Sequence, residues 1–384
     1  MNSKPKKLIV FPASMKKVGL LYHFTELGIC FSRRIAEKQD YDFLLISEKG
    51  ELNNGLWSKL EGVLPKREII RTNTYEEFPQ IMETKMAADC YESVTVLTQG
   101  LKQFSSLIPL KRKYGKRLKL YIRLNSFKHG SILRYPLTLY YSWVFSRYAD
   151  YVNFQCAYTA TIFARSKTIF DRCLGISIPL GLSKEDSLEP DLDELVPIMK
   201  DDSCFKLVYL AQFHKHKRHF ELIDQLKELL RNNNRLKLVL LGDGKEFSSI
   251  RRMVLEHKLG ESVVMPGRID RRYVPWVLKN VDLSLVLSNV ETFGHNILEP
   301  LFYGTPVIST DVGIGREVVK DYHTGFLLNS GSLSNLVRYV EYLMNNETAL
   351  VEMSANAQRL ARLEYTWDSV VDRYMRLFDR EIGL

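Results

Sequence analysis

The stretch Leu283–Thr310, LSLVLSNVETFGHNILEPLFYGTPVIST, decides the fold. It opens with an apolar run of strand length, LSLVLS (283–288), and closes with the β-branched PVIST (306–310). Between them lie a polar loop, Asn289 to Gly294, and a helical pattern from Asn296 to Tyr303 that stops at Gly304-Thr305-Pro306. A buried strand, a helix and a second buried strand joined by short loops form a parallel βαβ unit.

The same alternation runs outward from it. Upstream come strand FKLVYLAQF (205–213), helix Glu221 to Arg231, strand LKLVLLG (236–242), helix Phe247 to His257, strand VVMPG (263–267) and helix Val274 to Lys279. Downstream a helix begins at Glu317. This reads as a doubly wound α/β sheet. The first half repeats the pattern, with strands at LIVF (8–11), FLLI (43–46), VTVLT (94–98), KLYIRLN (119–125), YVNFQ (151–155) and GISIPLG (175–181). Helices are expected at Leu20 to Lys38 and Ile132 to Tyr148. The segment 184–204, acidic and with two prolines, reads as a linker. A chain of 384 residues is long for one domain. The expected layout is therefore two Rossmann-like domains, 1–183 and 205–365, facing a cleft. The amphipathic stretch WDSVVDRYMRLF (367–378) predicts a last helix, and residues 366–384 are expected to return to the first domain.

Composition narrows the chemistry. No apolar run approaches the ~20 residues that span a bilayer. The five cysteines, Cys30, Cys90, Cys156, Cys173 and Cys204, include no C-x-x-C pair. They read as reduced, mostly buried thiols of a cytoplasmic protein rather than a zinc site. The first strand leads into PASMKKVG without a G-x-G-x-x-G, which argues against a dinucleotide-binding dehydrogenase. The net charge is +9, concentrated in the first half. From Ser93 to Ala149 there is no Asp or Glu but eleven Lys and Arg, interleaved with aromatics. No nucleic-acid motif accompanies that charge. A peripheral contact of residues 102–147 with an anionic membrane surface is the favoured reading.

The candidate site sits at strand ends of the second half. The loop after the first strand there, QFHKHKRH (212–219), is crowded with cations that suit a phosphate. The next strand ends in Gly242-Asp243-Gly244, a tight turn that lets a ligand approach the backbone. The opening stretch adds Glu291 in the loop and Glu299 one turn into the helix. Amides at that helix start favour an anion, whereas carboxylates accept from sugar hydroxyls. Together they fit a phosphate flanked by sugars, as in a nucleotide sugar. The plain alternative is that Glu299 forms a salt bridge and Glu291 lies on the surface.

Five segments in order resemble the retaining glycosyltransferases of family 4, which have the GT-B fold. They are YLAQFHKHKR (209–218), LLGDGKEF (240–247), VVMPGRID (263–270), the long VDLSLVLSNVETFGHNILEPLFYGTPVISTDVGIGREVV (281–319) and DYHTGFLLNSGS (321–332). The resemblance implies that Glu291 and Glu299 are the two glutamates of the family's E-x7-E motif, the first beside the donor sugar and the second on the ribose. It implies that Lys217 binds phosphate, and that Phe293, Gly294, His295 and Asn296 hold the diphosphate or sugar. Gly242 falls in the donor loop, and Arg268 falls near the nucleobase. In the first domain Gly19, Asn125 and His129 are the donor-facing candidates.

The sequence departs from the family pattern at Gln212, where members commonly carry Arg. His214, Lys215 or Arg218 would have to supply that cation. Pro300 follows Glu299 where Ala is usual, which moves the expected helix start toward Leu298. The two D-x-D strings, at 40–42 and 191–193, lie outside the strand-end context of metal-dependent glycosyltransferases, so no metal is expected. The implied activity is metal-independent, retaining transfer from a nucleotide diphosphate sugar to a saccharide or lipid-linked acceptor, in polysaccharide or glycoconjugate synthesis. No cofactor beyond the donor is implied. The competing readings are a silent nucleotide-sugar-binding subunit and an epimerase or phosphorylase on the same fold.

Overall fold

The computed structural model describes residues 6–13, 18–38, 40–48, 69–72, 75–88, 90–98, 101–124, 143–164, 174–183, 188–193 and 195–380. The chain divides into two compact units. One comprises Met1–Ser183 with Thr366–Leu384, the other Lys184–Tyr365.

The first unit holds a seven-stranded sheet: β1 (Lys6–Ala13), β2 (Tyr41–Glu48), β3 (Ile69–Thr72), β4 (Tyr91–Thr98), β5 (Leu118–Leu124), β6 (Tyr151–Phe154) and β7 (Leu174–Ser177). Their spatial order is β3-β2-β1-β4-β5-β6-β7, and the paired strands run parallel. Strands covered on both faces alternate between two apolar layers. Leu118, Leu120 and Ile122 of β5 enter the core under Phe104 and Phe145. Tyr121 faces the other way and meets Phe378 edge-on, with ring centroids 5.2 Å apart.

That second face is covered by helix α1 (Val18–Ala36) and by the last helix, α9 (Trp367–Arg380). Three kinds of contact hold α9 there. Phe31 of α1 stacks on Phe378 at 6.3 Å. Asp372 pairs with Arg34 at 2.7 Å, and Asp379 pairs with Lys38 at 2.7 Å while accepting from Tyr41 Oη at 2.9 Å. Asn153 Nδ2 donates to Tyr374 Oη at 2.5 Å. A side chain at Gly181 would lie 2.7 Å from the Trp367 indole, so the chain passes α9 in direct contact. Burial of Trp367, Val370, Val371, Tyr374 and Met375 depends on this docking. Each large apolar side chain contributes about 1.5–3 kcal/mol. Removal of residues 366–384 is therefore expected to give insoluble protein. A soluble truncation with an unchanged melting temperature would contradict this packing.

The second unit holds a six-stranded parallel sheet: β8 (Phe205–Leu210), β9 (Leu236–Leu241), β10 (Val263–Gly267), β11 (Leu283–Val286), β12 (Val307–Thr310) and β13 (Gly325–Leu328). Their order is β10-β9-β8-β11-β12-β13. Leu207 and Tyr209 of β8 face one core, whereas Val208 and Leu210 face the other. Strand order reverses between β8 and β11, so the crevice above their carboxyl ends is the place where this topology receives ligands.

Two expectations are corrected. The segment 184–204 is not all linker. Its helix Val196–Lys200 buries Met199, and with Leu195 this forms part of the second unit's core. Pro197 lies in the first turn of that helix, where proline is favoured rather than disruptive. The helix after Glu291 begins at His295, not near Leu298. Pro300 is its sixth residue, so the carbonyl four residues back belongs to Asn296, still in the first turn, and only one intrahelical bond is lost. Of the helix expected at 132–148, residues 143–148 are helical and the remainder lies outside the described residues.

Candidate active site

The site is built on the switch point of the second unit. After β8 the chain makes a tight turn, Lys215–Lys217, and Arg218 adopts a left-handed conformation with φ of 61° before helix α4 (His219–Asn232) begins. The buried Tyr209 hydroxyl donates to Lys217 O at 2.7 Å, and Asn289 N donates to His216 O at 2.8 Å. His219 is fully buried between the rings of Tyr209 and Phe213, at 4.8 and 4.2 Å. Burial, reinforced by the neighbouring Lys217 charge, pushes its pKa down to about 4, so it serves as a neutral aromatic spacer. The turn that carries Lys217 is thus fixed from beneath and from the side.

Across the switch point, β11 leads into the loop that carries Glu291, and then into helix α6 (His295–Tyr303). Glu291 Oε1 accepts from Lys217 Nζ, from Ser288 Oγ at 2.8 Å and, at longer range, from Asn296 Nδ2 at 3.4 Å. Both side chains of the ion pair are largely shielded, at 12 % and 14 % exposure. Such pairing holds two long side chains in one geometry. All three contacts fall on one oxygen, and Oε2 has no hydrogen bond among the described residues. One edge of the carboxylate is fixed and the other is left to accept from a hydroxyl.

The Glu291 loop is braced by a segment that the sequence reading does not single out as a site. Ile314 N donates to Phe293 O at 2.6 Å. Gly313 has φ of 53°, and a side chain there would lie 2.3 Å from Phe293 O and 3.0 Å from Glu291 Cβ. Only glycine permits so close an approach. Phe293 is buried and meets the His295 ring edge-on at 5.0 Å, while Gly294 O accepts from the amides of Ile297 and Leu298. Phe293, Gly294, His295 and Asn296 therefore stand together at the start of α6, where the helix dipole presents its positive end.

Glu299 is the fifth residue of α6 and is buried, at 9 % exposure. Its Oε1 accepts from Arg271 Nη2 at 2.7 Å. Arg271 lies in the short turn after β10 and is half exposed. Arg268, expected near the nucleobase, is exposed and has no hydrogen bond among the described residues. Nothing in local spacing links Arg271 to a glutamate 28 residues later.

Gln212 is exposed at the end of β8. Of the three cations considered in its place, Arg218 is already engaged: its guanidinium donates to Glu221 at 2.9 Å and to Ser330 O at 2.9 Å. His214 stacks on the ring of His216, with centroids 5.9 Å apart, and burial and the Lys217 charge lower the pKa of His216 despite the opposing pull of Glu291. Lys215 is exposed. Gly242 lies beside Gln212 with φ of 146°, and a side chain there would stand 2.1 Å from Ala211 O. Gly242→Ala is therefore expected to cost about 2–4 kcal/mol through strain and backbone overlap. This would be read as a lowered urea midpoint for the second unit, and an unchanged midpoint would contradict the close approach. Gly19 falls in the first turn of α1. Asn125 and His129 lie outside the described residues. No cluster of metal-ligating side chains occurs among the described residues.

Residues 197–360 match the family model described as glycosyl transferases group 1. Among curated proteins, the chain is 28 % identical over 172 residues to N-acetyl-alpha-D-glucosaminyl L-malate synthase of Bacillus anthracis, covering 45 % of this chain and 44 % of that protein. It is 21 % identical over 172 residues to poly(ribitol-phosphate) alpha-N-acetylglucosaminyltransferase of Staphylococcus aureus, covering 44 % of this chain and 34 % of that one. The chain thus aligns with less than half the length of these curated relatives. Among solved structures, Anabaena HepE in complex with UDP superposes with a TM-score of 0.68 at 17 % identity, covering 98 % of this chain and 100 % of that one. At that identity the likeness concerns the fold, which is the two-domain α/β GT-B architecture. The Lys217–Glu291 pair and Glu299 all lie inside the segment that matches the glycosyl transferases group 1 model.

Proposed function

We propose that the protein is a retaining glycosyltransferase that moves a sugar, of hexosyl or N-acetylhexosaminyl type, from a nucleotide diphosphate sugar to a saccharide or lipid-linked acceptor in cell-surface polysaccharide or glycoconjugate synthesis. The observation that carries this reading is the shielded Lys217–Glu291 pair at the switch point, beside the positive end of α6. Lys217 is placed to meet the charge that grows on a departing diphosphate, and electrostatic stabilisation of that kind is commonly the largest catalytic term. The open oxygen of Glu291 would accept from a donor-sugar hydroxyl, and Glu299 would face the ribose with Arg271 alongside. The cations and helix amides do this work without a metal in the proposed mechanism. The relatives support the sugar class, since both curated names describe N-acetylglucosaminyl transfer or conjugation. A melting-temperature panel of UDP-, GDP-, ADP- and TDP-sugars tests the reading, because a ligand of the folded form raises stability by mass action. One family of donors is expected to raise the melting temperature, and nucleotide release is expected to require an acceptor. Equal release without acceptor would favour an epimerase or hydrolytic activity instead.

The proposed acceptor side is the first unit, resting on an anionic cytoplasmic membrane surface. No helix among the described residues is long and apolar enough to cross a membrane. Part of the basic stretch is spent internally. Lys111 pairs with Asp150 at 2.7 Å, Lys113 with Glu83 at 2.6 Å, and Arg123 is buried. The exposed remainder includes Lys102, Lys116 and Arg147, and Trp143 is half exposed. Each such cation near an anionic leaflet contributes about 1 kcal/mol. Charge reversal at Lys102, Lys116 and Arg147 is expected to release the protein from anionic liposomes in sedimentation while leaving nucleotide binding intact. Equal binding to anionic and neutral liposomes would remove the membrane from the account.

A further inference from the structure

The two glutamates around the start of α6 are held in the same way. Glu291 takes Lys217 on its Oε1, and Glu299 takes Arg271 on its Oε1. Glu299 has no other hydrogen bond among the described residues. Its Oε2 therefore retains two acceptor positions, enough for two vicinal hydroxyls.

The guanidinium belongs to the turn after β10, and that turn is fixed without help from Glu299. Asp270 accepts from Arg272 N at 2.9 Å and from the Arg272 guanidinium at 3.0 and 3.1 Å, which closes the turn. The helix Val274–Lys279 follows and packs against α6. Val277 and Leu278 are buried in the core, and Thr305 Oγ1 donates to Leu278 O from just beyond the end of α6. Arg271 itself is half exposed, and an ion pair with a half-exposed partner adds little stability. The pair is thus poorly explained as a clamp between turn and helix. What it controls is the direction of the carboxylate. Glu299 is largely buried with one cation on one oxygen, and a planar guanidinium fixes an acceptor's geometry more tightly than an ammonium. The remaining oxygen is aimed rather than free to turn.

We propose that Arg271 is a positioning residue of the donor site: by holding Glu299 Oε1 it presents Oε2 to the ribose diol and makes the site select ribonucleotides over deoxyribonucleotides. This rests on the donor reading above, in which Glu299 faces the ribose. A site built to hydrogen-bond a hydroxyl rejects the analogue that lacks it, because its own shielded group is left unpaired. The donor is then a ribonucleoside diphosphate sugar, and the TDP-sugars of the melting panel, which carry a deoxyribose, are expected to fail.

The experiment is titration calorimetry of the full chain with UDP, GDP and ADP, each against its 2′-deoxy counterpart. The unaltered chain is expected to favour the ribose form of the nucleotide it binds by about 10–100-fold. In Arg271→Gln and Arg271→Met that preference should largely disappear. Arg271→Lys should restore part of it, since an ammonium can hold Oε1 without fixing its plane. Arg271→Gln should add little to Glu299→Gln, because two residues acting through one contact are not additive. A purely structural role would weaken both sugar forms alike, so an unchanged preference in the Arg271 variants overturns the inference and leaves donor binding standing. Equal affinity of the unaltered chain for the two forms overturns it without recourse to a variant. Binding of no nucleotide at all overturns the donor reading itself, and the inference with it.

Discussion

Glu291→Gln is expected to lower turnover by about a hundredfold or more while leaving nucleotide affinity unchanged or slightly tighter. The direction follows from the ion pair. Glu291 holds Lys217 through one carboxylate oxygen, with Ser288 on that same oxygen. The amide is nearly isosteric and keeps the loop in place, but it removes the charge that restrains Lys217. The lysine is then freer for a diphosphate, while the sugar loses its anionic neighbour. Glu299→Ala should behave in the opposite way. Its buried carboxylate, paired with Arg271, stands on the helix rather than in the loop. Its loss should weaken binding of the nucleotide itself, by about 1–3 kcal/mol for a charged hydrogen bond. Titration calorimetry with the nucleoside diphosphate and steady-state rates on the two variants separate the roles. Equal loss of nucleotide affinity in both would refute the assignment.

Lys217→Ala is expected to raise the barrier by about 2–4 kcal/mol, the usual cost of removing one contact to a developing anion. Lys215→Ala should cost far less. The two lysines lie in one turn, yet their surroundings differ. Lys217 is shielded, its carbonyl is held by Tyr209, and its ammonium meets Glu291. Lys215 is exposed. Single-turnover rates distinguish them. A larger defect in Lys215→Ala would mean that the turn presents its cations differently from the arrangement described here.

Much of the fold is legible in the sequence because a parallel sheet covered on both faces needs continuous apolar strands. LKLVLL inserts alternate side chains into two cores, and LSLV inserts Leu283 and Leu285 into one while Val286 is buried on the opposite face, so their runs stand out. The edges are less legible. β3 and β13 have four residues each, and β13 begins with a glycine in a segment that otherwise reads as a turn. The helix in the presumed linker is hidden by Pro197, which marks a helix start as readily as a break.

The candidate site divides in the same way. Motif spacing singles out Lys217 and Glu291 separately, but they are 74 residues apart, and only the reversal of strand order at β8 and β11 brings them into contact. Arg271 beside Glu299 is invisible to local reasoning, because it depends on how the turn after β10 passes α6. Arg218 shows the converse. Its type and position suggest a phosphate ligand, but its left-handed backbone turns the side chain toward Glu221 and Ser330.

A crystal structure with the nucleotide sugar that the melting panel selects tests the roles of Lys217, Glu291 and Glu299 together. The diphosphate is expected at the start of α6 with a phosphate oxygen on Lys217 Nζ, the ribose hydroxyls on Glu299, and the sugar beside Glu291. A nucleotide bound away from the carboxyl ends of β8 and β11, or one seated there with Lys217 still engaged only by Glu291, would contradict it.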